Sequence, residues 1–70
     1  MDFIFTSHAK QRMIERKITL EQIKETINFP NYVISKDNKI EAYKKINGKF
    51  LKIVYIKKGK FIKIITLIWK

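Results

Sequence analysis

The stretch Ile40-Glu41-Ala42-Tyr43-Lys44-Lys45-Ile46-Asn47-Gly48-Lys49-Phe50-Leu51-Lys52-Ile53-Val54-Tyr55-Ile56-Lys57 decides the fold. Two runs rich in β-branched and aromatic residues flank an Asn-Gly pair. A two-residue type I′ turn needs positive φ at both central positions, and Asn-Gly supplies this at low steric cost. The spacing predicts a hairpin with strands over Ile40–Ile46 and Phe50–Lys57.

The pattern extends outward from this hairpin. On the C-terminal side Lys58-Gly59 reads as a turn and Phe61–Trp69 as the next strand. On the N-terminal side Asp37-Asn38-Lys39 reads as a turn that follows a candidate strand over Tyr32–Lys36. Before Pro30 the period changes to that of a helix. Thr19-Leu20-Glu21-Gln22 has capping-box spacing, Leu20, Ile23 and Ile27 form one apolar stripe, and Asn28-Phe29-Pro30 is a stop. Further back, Thr6 and Ser7 are both N-cap residues for a helix from His8 to Arg16. Ile18 links the two helices. Phe3-Ile4-Phe5 is either a short strand or an apolar lead-in. The expected fold class is α+β, with two N-terminal helices packed on an antiparallel sheet of three to four strands in one domain, 1–70.

Strict alternation assigns faces to the strands. Ile40, Ala42 and Ile46 oppose Glu41, Tyr43 and Lys45. Ile62, Ile64 and Ile68 oppose Phe61, Lys63, Ile65, Leu67 and Trp69. Lys52, Val54 and Ile56 oppose Leu51, Ile53 and Tyr55. A sheet covered on one side needs only one apolar face. The surplus marks a partner surface or dimer interface around Phe61, Ile65, Leu67 and Trp69, or a loosely packed second face.

Charge is placed unevenly. The chain of 70 residues carries +10. Residues 1–35 contribute +1 and residues 36–70 contribute +9. That asymmetry points to a polyanionic partner, or to a solubility charge on a Lys-rich chain. With no cysteine there is neither a disulfide framework nor a thiolate metal site, which fits a reducing, cytoplasmic setting. The N-terminus lacks the pattern of a signal peptide, and Ile64–Trp69 is too short to span a bilayer. No membrane partner is expected.

The first helix holds the residues best suited to chemistry. At about 100° per residue, Arg12, Glu15 and Arg16 lie roughly 40°, 20° and 80° from His8. One reading is an acid/base and phosphate-binding cluster, because imidazole titrates near neutrality and guanidinium matches phosphate geometry. The other is structural, with Glu15 paired to Arg12 or Arg16 and His8 hydrogen-bonded near the helix start. One histidine and six dispersed acids make no credible metal set. The only glycines, Gly48 and Gly59, lie in turns, so there is no glycine-rich phosphate loop and no cofactor is expected.

The segment Ser7-His8-Ala9-Lys10-Gln11-Arg12-Met13-Ile14-Glu15-Arg16-Lys17-Ile18 resembles the H-A-x-x-R-M-x-E-R-x-I opening of domain-of-unknown-function family 4258. The resemblance runs on through Asn28-Phe29-Pro30, Leu51–Tyr55 and Ile64–Leu67. Lys17 stands where that family often has glycine, and Lys52 where it often has arginine. The family looks like a compact relative of the RelE/ParE toxin superfamily, including BrnT-type toxins. The resemblance implies a β-α-α-β-β-β order with an optional last strand, in a RelE-like toxin-type domain. It implies metal-independent RNA cleavage silenced by an antitoxin protein, although ParE-like members target gyrase.

The expected function is a toxin-like endoribonuclease. His8 would be the general acid or base, and Arg12 and Arg16 would hold the phosphate. Tyr43 would stack on a base or donate a hydrogen bond. Lys45, Lys52 and Lys63 would guide the RNA backbone. Expected partners are RNA, ribosome-associated or free, an antitoxin, and a second copy of the chain. The alternatives are a non-catalytic RNA- or DNA-binding module and a partner-binding or oligomeric domain without activity.

Overall fold

The computed structural model describes residues 2–70. Among them the elements run β1 (Asp2–Phe5), α1 (Ser7–Glu15), α2 (Leu20–Asn28), β2 (Tyr32–Lys36), β3 (Lys39–Ile46), β4 (Lys49–Lys58) and β5 (Phe61–Trp69). All five strands form one sheet in the order β1-β5-β4-β3-β2. β2 to β5 are an antiparallel meander, and β1 lies parallel to β5.

This corrects the expected fold class. The sheet is mixed rather than antiparallel, it has five strands, and a strand precedes the helices. Phe3 pairs with Ile62 and Phe5 with Ile64. Two helices and three strands separate these partners, so no turn signal announces the pairing. Without β1 the apolar β5 would be an open edge able to pair with other chains.

Each hairpin closes through a two-residue turn. Asp37 and Asn38 both have positive φ, 51° and 65°, and Lys39 already belongs to β3. The expected three-residue turn was one residue too long. Asn47 and Gly48, at φ 51° and 84°, form the expected type I′ turn. The last turn is Gly59-Lys60, one residue later than expected, because Lys58 pairs with Phe61.

The helix ends follow from side-chain chemistry. Thr6 is the α1 cap, its hydroxyl accepting from the Ala9 N–H at 3.0 Å, so Ser7 lies inside the helix. The C-terminus of α1 closes as a Schellman motif. The Ile18 N–H donates to the Met13 carbonyl and the Lys17 N–H to the Ile14 carbonyl, with Lys17 at φ 53°. The Thr19–Gln22 capping box opens α2, both of its reciprocal bonds being present.

Both helices lie on one face of the sheet. Ala9, Ile18 and Ile23 meet Ala42, Leu51, Ile53, Tyr55, Ile62, Ile64 and Leu67 in one buried cluster. α1 lies over β5 and β1, and α2 over β3 and β4.

A β-bulge changes the faces of β5. Tyr55 pairs with Ile64 but Val54 with Thr66, so Ile65 is an extra residue. One inserted residue reverses the alternation beyond it. Ile62, Ile64, Leu67 and Trp69 therefore share the helix-covered face, whereas strict alternation set Leu67 and Trp69 apart from Ile62 and Ile64. Thr6 holds the bulge: its N–H donates to the Ile64 carbonyl and its hydroxyl to the Ile65 carbonyl, both at 3.2 Å.

Candidate nucleic-acid interface

The second face of the sheet carries no helix. Its central row follows from the turn lengths. The Asp37-Asn38 turn sets Tyr32 opposite Tyr43, and the Asn47-Gly48 turn sets Lys52 opposite Tyr43. Side chains directly opposite on neighbouring strands are close enough to interact. The rings of Tyr32 and Tyr43 stack with centroids 4.5 Å apart and planes 12° from parallel. Phe50 meets Tyr32 edge-on at 6.0 Å.

Tyr43 is locked in place. Its hydroxyl donates to Glu41 Oε1 at 3.2 Å. Lys52 Nζ lies 3.7 Å from the same oxygen and 5.8 Å from the Tyr43 ring centroid. Tyr43 is buried, so its ring is engaged by protein and not free to stack on a base. Tyr32, its neighbour, is 48% exposed. Sequence reasoning missed Tyr32, Glu41 and Phe50. The missing signal was the turn length, because a three-residue turn sets Tyr32 opposite Lys44.

Lys45 and Lys63 are exposed on this face, at opposite sides of the central row. Lys36, Lys39 and Lys58 rim it by the same register. Lys44, Lys49 and Lys57 belong to the helix-covered side, so the basic half of the chain is divided between two faces. Lys44 reaches the Phe29 carbonyl at 2.9 Å and thereby ties β3 to the end of α2.

The α1 residues lie on the opposite side of the sheet. Arg12 Nη1 donates to Glu15 Oε1 at 2.7 Å, and Gln11 Nε2 to Glu15 Oε2 at 2.9 Å. The Arg12 bond first, and the Gln11 bond next, hold the Glu15 carboxyl below its ordinary 4.5. Arg16 Nη1 donates to the Leu67 carbonyl at 2.8 Å, and Trp69 Nε1 donates to the Arg16 carbonyl at 3.0 Å. His8 is exposed in the first turn of α1. The structure therefore does not bring His8, Arg12 and Arg16 together with Tyr43, because the sheet stands between them.

The four apolar residues set aside for a partner are also dispersed. Phe61 is 46% exposed on the uncovered face. Ile65 is half-buried at the bulge. Leu67 is wholly buried and Trp69 packs against the core. The bulge is the physical reason, since it turns the last two toward the helices.

Among the described residues, no group of three or more His, Cys, Asp or Glu is placed to hold a metal ion. Among the described residues, no helix is long and apolar enough to cross a membrane. A family model described as Domain of unknown function (DUF4258) matches residues 5–69. This chain belongs to the DUF4258 family. No curated protein and no solved structure matches it. The DUF4258 span takes in the α1 motif, the bulge and the whole Tyr32–Tyr43–Lys52 row.

Proposed function

We propose that this DUF4258 protein binds RNA through the uncovered face of its sheet and serves in the cytoplasm as the toxin of a toxin–antitoxin pair. One observation carries the RNA reading: the half-exposed Tyr32 ring, backed by the buried Tyr43 and by Phe50, lies among lysines on a face that no helix covers. Lysines track a phosphate backbone and aromatic rings accept bases. The DUF4258 family looks like a compact relative of the RelE/ParE toxins, and that resemblance supports the toxin role; an antitoxin protein is the partner that role requires.

The test is labelled RNA titrated by fluorescence anisotropy across a salt series. The expected result is binding that weakens steeply with salt, and weakens further in Lys45→Gln and Lys63→Gln. Affinity that ignores salt and both substitutions would sink the reading.

Metal-independent cleavage is a second reading, favoured by the exposure of His8 one turn ahead of Arg12 on α1. The 2′-OH would attack the adjacent phosphorus and the 5′-oxygen would leave. A base takes the first proton and an acid supplies the second. His8 would fill one of these roles, with the Arg12 guanidinium near the developing charge. RNA cleavage in EDTA by the wild-type chain and not by His8→Ala is the expected outcome. Equal cleavage by both removes His8 from the reaction.

A further inference from the structure

We infer that Tyr32 is the stacking platform for one unpaired nucleobase, so that the RNA this face takes is single-stranded. The inference rests on the RNA reading above and names the form of its substrate.

The geometry of Tyr32 differs from that of a residue serving the core. β2 is the last strand of the sheet, and every one of its residues is exposed. Neither helix contacts β2 among the described residues. Yet the Tyr32 ring is held on two sides. Its inner face lies on Tyr43 at 4.5 Å, and Phe50 meets it at 61°. Tyr43 is itself fixed by Glu41 and Lys52. β2 is an edge strand, so no further strand covers the ring face turned away from Tyr43, and Tyr32 is 48% exposed. An ordered ring loses little freedom when a ligand stacks on it.

The surroundings choose the ligand. Lys52 lies against Glu41 and so offsets the one carboxylate in this cluster. Lys45, two residues beyond Tyr43, is exposed on the same face. A flat ring beside cationic side chains suits a nucleotide, the base on the ring and the phosphate near the ammonium. In a duplex both faces of each base are already stacked, and the deep major groove of A-form RNA excludes side chains. Only an unpaired base has a face to offer Tyr32. Every base has such a face, so the site orders the strand without choosing its sequence.

The experiment compares a labelled oligouridine with a labelled RNA duplex of equal length, at low salt with EDTA, on wild type, Tyr32→Leu and Tyr32→Trp. Thermal unfolding of each variant is recorded alongside. Wild type is expected to prefer the single strand. Tyr32→Leu should weaken single-strand binding by roughly tenfold and leave duplex binding unchanged, whereas Tyr32→Trp should retain it. If Tyr32→Leu does not fold, the Tyr32 ring protons of the wild-type chain decide. Stacking moves them upfield on titration with oligouridine. Wild type that binds the duplex as tightly, single-strand affinity unchanged in Tyr32→Leu, or unmoved ring resonances would each overturn the platform. Wild type that binds neither RNA overturns the RNA reading itself, and that outcome is distinct from the others.

Discussion

Trp69 and Arg16 are joined through the main chain: the indole N–H of Trp69 donates to the Arg16 carbonyl at 3.0 Å. Arg16 returns a bond to the Leu67 carbonyl at 2.8 Å. The pair ties the end of α1 to the end of β5. Arg16→Ala should therefore lower unfolding stability by about 1.5–3 kcal/mol, the range for hydrogen bonds to charged groups. RNA affinity of the folded variant should not change. Urea unfolding and anisotropy check both. Weaker RNA binding with intact stability would return Arg16 to a phosphate-holding role.

The bulge at Ile65 separates the fates of two residues that alternation places together. Leu67→Ala should cost about 2–5 kcal/mol, as for other large-to-small changes at buried sites. Phe61→Ala, at a half-exposed position, should cost much less. Equal losses in chemical denaturation would mean that the two side chains share an environment after all.

Lys17 occupies the left-handed position of the α1 Schellman motif at φ 53°. A β-carbon there costs roughly 1–2 kcal/mol, which glycine avoids. Lys17→Gly should raise the midpoint of thermal unfolding, with a gain of about 1 kcal/mol. A lower midpoint would show that the Lys17 side chain contributes more than its backbone strain removes.

Stability should depend on pH at both extremes. The Arg12 bond holds the Glu15 carboxyl below its ordinary 4.5. A depressed carboxyl contributes stability that is present above the unfolded value and lost as pH falls through the folded one. The acid limb should decline below about pH 4.5 and be shallower in Glu15→Gln. Burial raises the Tyr55 phenol above its ordinary 10.0. Stability should then hold below that value and fall as pH rises through the folded one, less so in Tyr55→Phe. Thermal unfolding across pH reads both limbs, and wild-type limbs in both variants would refute the assignments.

Charge on the two faces should separate in salt titrations. Lys63→Gln on the uncovered face should reduce the slope of log affinity against log salt by about 0.7, the effect of one contact to single-stranded nucleic acid. Lys24→Gln on α2 should leave the slope unchanged. An equal reduction in both variants would mean that the protein uses its charge without regard to face.

Local chemistry was legible in the sequence wherever the partners are near in the chain. The Thr19–Gln22 capping box joins residues three apart, and the Asn47-Gly48 turn joins adjacent strands, so each carries its own signal. The turn at Asp37-Asn38 was legible in kind but not in length. One residue of error there hid Tyr32 behind Tyr43, because register decides which side chains meet across a pair of strands.

Strand alternation placed Tyr43, Lys45, Lys52 and Lys63 near one another in the sheet, but not the burial of Tyr43 or the Glu41 contacts that hold Tyr43 and Lys52. A helical wheel relates residues to one another within α1, but it does not say which face of the sheet the helix covers. That the His8–Arg12–Arg16 line and the Lys45–Lys63 face lie on opposite sides of the sheet was not legible for that reason.

Read alone, the sequence set two capped helices, the Asn47-Gly48 turn, the neighbourhood but not the bounds of the other two turns, and a basic, β-rich second half. Each depends on φ preferences, caps and periodicity that act over a few residues. Tertiary structure alone decided the parallel β1–β5 pair, the bulge at Ile65 and the choice of covered face. β1 and β5 meet 59 residues apart, at Phe3 and Ile62, and the bulge is held by Thr6, which reaches Ile65 across the same gap. These contacts form because they bury Phe3, Phe5, Leu67 and Trp69 against one core. That gain belongs to the assembled sheet and to no segment of it.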